Sequence, residues 1–371
     1  MLPNSPDVEA TARASIEASQ QPQTSNTASA ASPRAEMVET LLEMINGSWI
    51  AQAIAVTAEL SLADLLRYGP RSSADLAAVT RTDAPSLHRL LRALTTINIC
   101  HESDDGRFRM TEMGQLLGSD SPDSLRCWSM WWGKHLWPVW GNLRYSITTG
   151  NSARTLLTGT EGFKHLENDP AAAATFNQAL VELTRLTTSG VVQAYDFSGC
   201  QLIADVGGGY GELLSAILVA NPNSHGILFD LPHATEGARR HFEQSGLSNR
   251  CEFVAGDFFQ SVPQGADAYV LKSVIHDWND DKSREILTTC RNAMSDDARL
   301  LLVERVMPQR LEATPSHQSA ARSDLTMLVA LGAQERTETE FRNLLHSAGF
   351  ELTRIYPAGM VSVLEAKRRA Q

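Results

Sequence analysis

Apolar positions change period partway along the chain. Met37, Leu41, Leu42, Met44 and Ile45 share one side of a helix, and Trp49, Ile50, Ala53, Ile54 and Leu60 continue the pattern after Gly47. Both stripes are more apolar than a lone surface helix requires, which predicts a buried position or a subunit interface. Leu62, Leu65 and Leu66 follow until Gly69-Pro70 interrupts, and Ser72 or Ser73 can cap a helix holding Leu76, Ala77 and Val79. Leu87, Leu90, Leu91 and Leu94 form a third stripe, and Asp104-Asp105-Gly106 predicts a hairpin turn before Phe108 and Met110. Residues 61–115 thus outline a winged helix. By contrast, residues 1–35 hold only Leu2 and Ile16 as large apolar side chains and read as a disordered tail.

Further on, Trp128, Trp131 and Trp132 fall at i, i+3 and i+4, with Trp137 and Trp140 close behind. Most of these rings fit a core or interface stripe, and one or two can wall an aromatic-binding pocket, with Trp132 as the candidate. Lys134 and His135 sit among them without a clear partner, and Phe163, Phe176, Leu180 and Leu183 belong to later helices that can face the same pocket.

From residue 202 strands alternate with helices. The strands are read at Leu202 onward, Ile227 to Asp230, Cys251 to Phe259, Ala268 to Ile275 and Leu300 to Val303, before a closing hairpin of Phe350 to Tyr356 and Met360 to Leu364. This alternation predicts an open, mostly parallel sheet, whose ligands bind at the carboxyl ends of the strands. A glycine turn lies at the first of those ends, in LIADVGGGYGELL. A dinucleotide fingerprint starting at Gly207 needs glycine where Glu212 stands. Asp205, immediately before the turn, suits a cationic ligand better than a pyrophosphate, which it would repel. A bare structural turn is the competing reading.

The polar residues at the other strand ends sharpen the choice. Asp230 lies about 20 residues beyond the turn, where an acid can accept from ribose hydroxyls, although Leu231-Pro232 also suits a helix start. Asp257 can accept from an adenine amino group with Phe258 against the ring, and Lys272 either contacts the ligand or faces solvent. His276 follows the fourth strand beside Asp277, and imidazole can take a proton from a phenol near neutral pH. Glu304 can hold it in the right tautomer, and Glu335, in GAQERT, can act from the opposite side. Glu335 competes with a bland alternative, a helix start at Thr337 capped with Glu340. No metal is implied, since neither an H-E-x-x-H pair nor an EF-type acidic loop occurs.

Composition narrows the classes. The chain has 371 residues, 43% hydrophobic and 20% charged, enough for two globular domains. No apolar run approaches the roughly 18 residues of a membrane span. With no signal-peptide pattern and five scattered cysteines lacking C-x-x-C, a reduced cytoplasmic protein with buried thiols is expected. The net charge of −11 argues against a broad phosphate-binding surface, and arginines and acids balance over 61–115. Dimerisation is therefore the better reading of the winged-helix outline than DNA binding.

DVGGGYGELL, ILFDLP, GDFF, LKSVIHDW, LLVERV, DLTMLV and GAQERT occur in this order. The chain from Met37 to Lys367 thereby resembles the metal-independent O-methyltransferases of the caffeic acid and hydroxyneurosporene type. The resemblance implies a Rossmann-like class I fold that binds S-adenosylmethionine (SAM), over 119–371, with pocket helices at 119–196. It implies a dimerisation domain at 36–118 and a homodimer. His276 would be the base, flanked by Glu304 and Glu335. Asp205, Gly207, Gly209, Asp230, Leu231, Asp257, Phe258 and Lys272 would surround SAM. Met327, from the D-x-x-M segment, would pack on a hydroxylated aromatic acceptor, with Trp132, His135, Phe176, Leu180 and Asp277 nearby. Gln309 to Arg322 reads as a polar mobile segment. Some similar proteins methylate nitrogen or use SAM without methyl transfer, and these, with a DNA-binding regulator, stand as alternatives.

Overall fold

The structure is a computed structural model that describes residues 32–369. The described chain divides into two units after Ser48. The first is the helix Pro33–Asn46, capped by Ser32, whose Oγ accepts from the Ala35 N–H at 3.3 Å. Most of the expected tail lies outside the described residues, and its last few start this helix. The helix buries none of its residues, and Met37, Leu41, Leu42, Met44 and Ile45 are exposed.

The second unit opens with the helices Ser48–Glu59 (from Trp49), Leu62–Leu66, Ser73–Thr80 and Ala84–Thr96, followed by the antiparallel hairpin β1 (Cys100–Glu102) and β2 (Phe108–Met110). Leu62, Leu66, Leu76, Leu87, Leu91, Leu94 and Phe108 form its core. Ser72 is the cap, accepting from Asp75 N–H at 3.1 Å. Val79 is exposed, because the buried side of that helix is carried by Leu76 and Ala77.

The tryptophan-rich stretch is helical from Arg126 to Trp140, with one π-helical turn over Trp132–Leu136. It packs on the long helix Pro170–Ala194, where Glu182 accepts from the Cys127 and Trp128 N–H groups at 3.0 and 2.8 Å. A buried carboxylate thus satisfies the free donors at the start of a helix.

The sheet comprises β3 (Leu202–Val206), β4 (His225–Asp230), β5 (Cys251–Ala255), β6 (Ala268–Lys272) and β7 (Arg299–Glu304). A short pair, β8 (Val306–Met307) and β9 (Arg336–Thr337), stands apart, and β10 (Phe350–Ala358) and β11 (Val361–Arg368) close the chain. The seven-stranded order is β10-β11-β7-β6-β3-β4-β5, parallel from β7 to β5 and antiparallel across β10, β11 and β7. Buried side chains cover both faces of the parallel strands, which explains their uninterrupted apolar runs. The order reverses at β3, so a crevice opens above its carboxyl end.

Two strands are shorter than expected. β5 stops at Ala255, which puts Asp257 and Phe258 in the following turn, and β6 stops at Lys272, with His276 in a single turn of 3₁₀ helix, Ile275–Asp277. Apolar residues beyond a strand end read as strand but here face the crevice. The segment expected to be mobile is helical from Pro315, the start of Pro315–Leu331, capped by Thr314 accepting from His317 N–H at 3.3 Å. Cys100, Cys200 and Cys290 are buried and Cys127 and Cys251 only partly so; all five are free thiols. Among the described residues no helix is long and apolar enough to cross a membrane.

Candidate active site

A cavity of about 550 Å³ opens at the carboxyl ends of the parallel strands. Asp205, Gly207, Gly209, Asp230, Leu231, Asp257, Phe258 and Lys272 all line it. Gly207 has φ +74°, and a Cβ there would meet Val274 Cγ2 at 2.9 Å. Only glycine suits that combination of backbone and neighbour. Asp230 fixes the turn, accepting from Gly209 N–H at 2.7 Å and from Leu231 N–H at 2.6 Å. Asp257 accepts from Phe259 N–H at 2.9 Å, while Phe258, Phe259 and Trp278 pack edge to face as an aromatic wall.

Asp205 is the electrostatic anomaly of this cavity. It is buried, its Oδ1 has no hydrogen-bond partner among the described residues, and burial, helped by Asp230, pushes its pKa up to about 7. Lys272 opposes that shift, while burial lowers the pKa of Lys272 itself against the pull of Glu304, Asp205 and Asp277. A buried, unpaired carboxylate beside a glycine turn is suited to a cationic ligand.

Below the cavity wall lies a second cluster. His276 Nδ1 is 3.3 Å from Glu335 Oε1 and 3.4 Å from Glu304 Oε2, and its Nε2 is 3.4 Å from Asp277 Oδ1. Glu304 is fully buried at the end of β7, and its Oε1 accepts from the Val274 and Ile275 N–H groups at 3.0 and 2.8 Å. The same carboxylate therefore shapes the turn and faces its histidine. Glu335 accepts from Ser323 Oγ–H at 2.6 Å, and its own N–H donates to Asp324 Oδ1 at 2.9 Å. Burial alone would lower the His276 pKa, but Glu304, then Glu335 and Asp277, outweigh it and carry the imidazole up to about 10. Burial pushes Asp277 up to about 7 and raises Glu304; at Glu335, burial is outweighed by His276 and Ser323, and the net direction is down. His276, Glu304 and Glu335 also present ligand atoms within 4.8 Å of one another, a spacing that a metal ion could use.

Arg336, absent from the sequence reading, holds this turn from beneath. It is fully buried and donates to Ile275 O, Trp278 O and Asp280 Oδ1 at 2.8–2.9 Å. In GAQERT, Glu335 faces His276, while Thr337 and Glu340 form a capping box two residues on. Ser273, with φ +55°, is a strained non-glycine residue between Lys272 and the histidine turn. Nothing in the local sequence marks Arg336 or Ser273, since their roles arise from elements distant in the chain.

The expected acceptor residues separate. Phe176, Leu180 and Asp277 line the cavity. Trp132, His135 and Met327 are not in that lining. Trp132 packs between Trp128 and Trp140, with ring centroids 5.9 and 6.0 Å away, and His135 stacks on Trp131 at 4.4 Å. Helical periodicity grouped Trp128, Trp131 and Trp132 on one face, and Trp132 meets its aromatic neighbours there rather than the cavity. His276 itself sits one residue behind the lining residue Asp277. Lining residues that the sequence did not single out include Asn177, Tyr210, His233, Val274 and Trp278.

Comparison with known proteins agrees with this arrangement. Residues 140–351 match the O-methyltransferase domain family, and residues 42–120 match the O-methyltransferase dimerisation domain. The chain is 41% identical, over 88% of its length and 95% of the relative's, to a phenazine O-methyltransferase, PhzM, of Lysobacter antibioticus. It superposes on the crystal structure of LaPhzM with a TM-score of 0.87 at 40% identity, covering 90% of this chain and 99% of that one. It also matches NcsB1, an O-methyltransferase from neocarzinostatin biosynthesis solved with SAM and 2-hydroxy-5-methyl naphthoic acid, with a TM-score of 0.75 at 32% identity over 86% of this chain and 96% of that one. Relatives that methylate nitrogen match over similar lengths. The unpaired Asp205 carboxylate, the glycine turn and the Asp230 carboxylate lining the same cavity fit SAM, a cationic nucleoside, as cofactor. The chain belongs to the SAM-dependent O-methyltransferase family, with a class I catalytic domain preceded by a dimerisation domain.

Proposed function

We propose that this enzyme transfers a methyl group from SAM to a hydroxyl of an aromatic small molecule of secondary metabolism, with His276 as the base. The observation that carries this reading is the juxtaposition of two constellations: eight expected SAM contacts around one cavity, and a histidine held between Glu304 and Glu335 directly behind its wall. SAM, when bound, supplies a methyl group activated by its sulfonium. Asp230 holds the ribose hydroxyls, Asp257 and Phe258 hold the adenine, and Asp205 offsets positive charge at the glycine turn.

His276 directs Nε2 away from the two glutamates and toward Asp277, a lining residue 3.4 Å away, whose place at that atom the acceptor hydroxyl would take. An imidazole with a pKa of about 10 matches a phenol, whose ordinary value is also about 10, so proton transfer between them costs little. At neutral pH the imidazole carries its proton, so the reactive pair, imidazole with phenol or the kinetically equivalent imidazolium with phenolate, forms by loss of one proton to solvent from imidazolium and phenol, and turnover rises with pH. Glu304 and Glu335 stabilise the imidazolium in either description. Phe163, Phe176 and Trp278 offer flat apolar walls on which an aromatic acceptor is oriented. Holding both reactants in line supplies a large part of the acceleration.

A base cluster of this kind favours oxygen over nitrogen as the acceptor atom. A neutral amine attacks through its lone pair without prior deprotonation, whereas a phenol needs its proton removed. Residues 36–118 are assigned to homodimer formation, where the exposed apolar side of Pro33–Asn46 would find its cover. The His276→Ala variant should lose turnover by about 10²–10⁴-fold while still binding SAM. Unchanged S-adenosylhomocysteine release in that variant would overturn the base assignment. An isomeric product without S-adenosylhomocysteine, identified by mass spectrometry, would instead point to non-methylating chemistry on this scaffold.

A further inference from the structure

Ser273 occupies a backbone conformation that its side chain makes costly. Its φ of +55° lies in the left-handed region, which glycine enters freely and a residue with a Cβ does not. The turn itself requires that conformation. Ser273 N–H donates to Val303 O at 3.0 Å, which ends the ladder between β6 and β7. Val274 then returns to the right-handed region, with φ −112° and ψ −50°. A left-handed residue followed by a right-handed one turns successive N–H groups toward one side, forming a hollow that binds anions. Glu304 fills it, its Oε1 accepting from the Val274 and Ile275 N–H groups at 3.0 and 2.8 Å. The turn therefore explains the conformation at 273 and leaves the choice of serine over glycine unexplained.

The hydroxyl supplies the explanation. Lys272 Nζ donates to Ser273 Oγ at 3.2 Å, its one side-chain partner among the described residues. An ammonium has three N–H groups, so two remain. Lys272, Ser273 and Asp205 all line the cavity. Asp205 of β3 pairs with Val270 of β6, and Lys272 lies two residues further along that neighbouring strand. Asp205 favours the charge on Lys272 through space, yet no ion pair joins them among the described residues, and Asp205 Oδ1 has no hydrogen-bond partner there. An acid and an ammonium thus face one cavity without pairing. The amino-acid end of SAM is a zwitterion, and its carboxylate is the only anionic group of the cofactor. Asp205 suits the ammonium of that zwitterion, and the two free N–H groups of Lys272 suit the carboxylate.

We propose that Ser273 is a positioning residue for the cofactor: its hydroxyl fixes the Lys272 ammonium where it receives the α-carboxylate of SAM, which is why a side chain stands at a turn suited to glycine. Lysine carries a point charge on a flexible four-carbon stem. A hydrogen bond at its tip removes freedom that binding would otherwise have to remove. The proposal rests on SAM as the cofactor and is independent of the acceptor and of the role of His276.

The test measures, by calorimetry on the full-length protein, binding of S-adenosylhomocysteine and of methylthioadenosine, which lacks the amino-acid end. Ser273→Gly removes both the hydroxyl and the backbone strain, and Ser273→Ala removes the hydroxyl alone. Both variants should bind S-adenosylhomocysteine about tenfold more weakly than the wild type, and methylthioadenosine within about twofold of it. Ser273→Gly should melt no lower than the wild type, so that affinity and stability part. In a Lys272→Met background, adding Ser273→Gly should change S-adenosylhomocysteine affinity by less than about twofold, because the hydroxyl then has no ammonium to hold. Wild-type affinity in both folded variants, an equal loss for both ligands, or the same loss in the Lys272→Met background overturns the proposal. So does a Ser273→Gly protein that melts well below the wild type or fails to fold, which would give serine a structural reason to stand there. Wild-type protein that binds neither nucleoside would instead sink the reading of the cavity as a SAM site, so the two failures are separable.

Discussion

Replacing Glu304 by glutamine separates the two jobs of that residue. The remaining amide oxygen can still accept from the Val274 and Ile275 N–H groups, so the turn is retained. What disappears is a negative charge 3.4 Å from His276 Nδ1. At an effective dielectric constant of about 20, Coulomb's law gives roughly 5 kcal/mol for a full charge at that distance, or between 3 and 4 pKa units, as ~332/(20 × 3.4). Burial raises the pKa of Glu304 and reduces the charge it carries, so about 2–3 units is the working expectation. The imidazole should then titrate about 2–3 units below its wild-type value of about 10. Nuclear magnetic resonance of carbon-13-labelled histidine, with S-adenosylhomocysteine bound, reads this directly and requires no knowledge of the acceptor. Turnover on the high-pH plateau, followed by S-adenosylhomocysteine release with a phenolic acceptor that the wild type methylates, should fall about 10²–10³-fold, with the acidic limb moved to lower pH. SAM affinity and the melting temperature serve as controls for the fold. A His276 titration that moves by less than about one unit, in a variant that still melts cooperatively, would refute the electrostatic argument.

Other perturbations follow from the same geometry. Asp205, raised to about 7, gains its charge as pH rises through that value, so SAM affinity measured by calorimetry should increase from pH 6 to 8, and Asp205→Asn should flatten the rise. The sign for folding is opposite: the folded pKa exceeds the ordinary value of a free aspartate, about 4, so this group's contribution to the stability of the SAM-free protein declines as pH rises from about 4 through 7. Gly207→Ala places a Cβ at positive φ and 2.9 Å from Val274 Cγ2, which should cost about 1–2 kcal/mol, lower the melting temperature by about 2–8 °C, and weaken SAM binding. Exhaustive dialysis against a chelator should leave turnover unchanged if Glu304 and Glu335 serve His276 as carboxylate partners; loss restored by a divalent cation would reassign the cluster as a metal site.

The SAM side of the site was legible in the chain because its residues occupy fixed places relative to strands. A glycine turn after β3, and acids in the last residues of β3 and β4 and just after β5, come to the carboxyl edge whatever else surrounds the sheet. The acceptor side was legible only in part. Phe176, Leu180 and Asp277 line the cavity, but Trp132, His135 and Met327 do not, because contacts that spacing does not reveal engage Trp132 with Trp128 and Trp140 and stack His135 on Trp131.

Periodicity and turn chemistry alone determined that this chain builds a helical N-terminal region and a parallel sheet with a cation-suited turn. Those features depend on neighbours within about one helix turn or one strand of the same residue. The tertiary structure decided which ionisable groups meet. Glu304 and the neighbours Glu335 and Arg336 reach the His276 turn from two other places in the chain, and their distances from it set its charge. The pairing energies vary with distance and burial, quantities that sequence spacing does not contain until the fold brings the ends of β6 and β7 and the start of β9 to one turn.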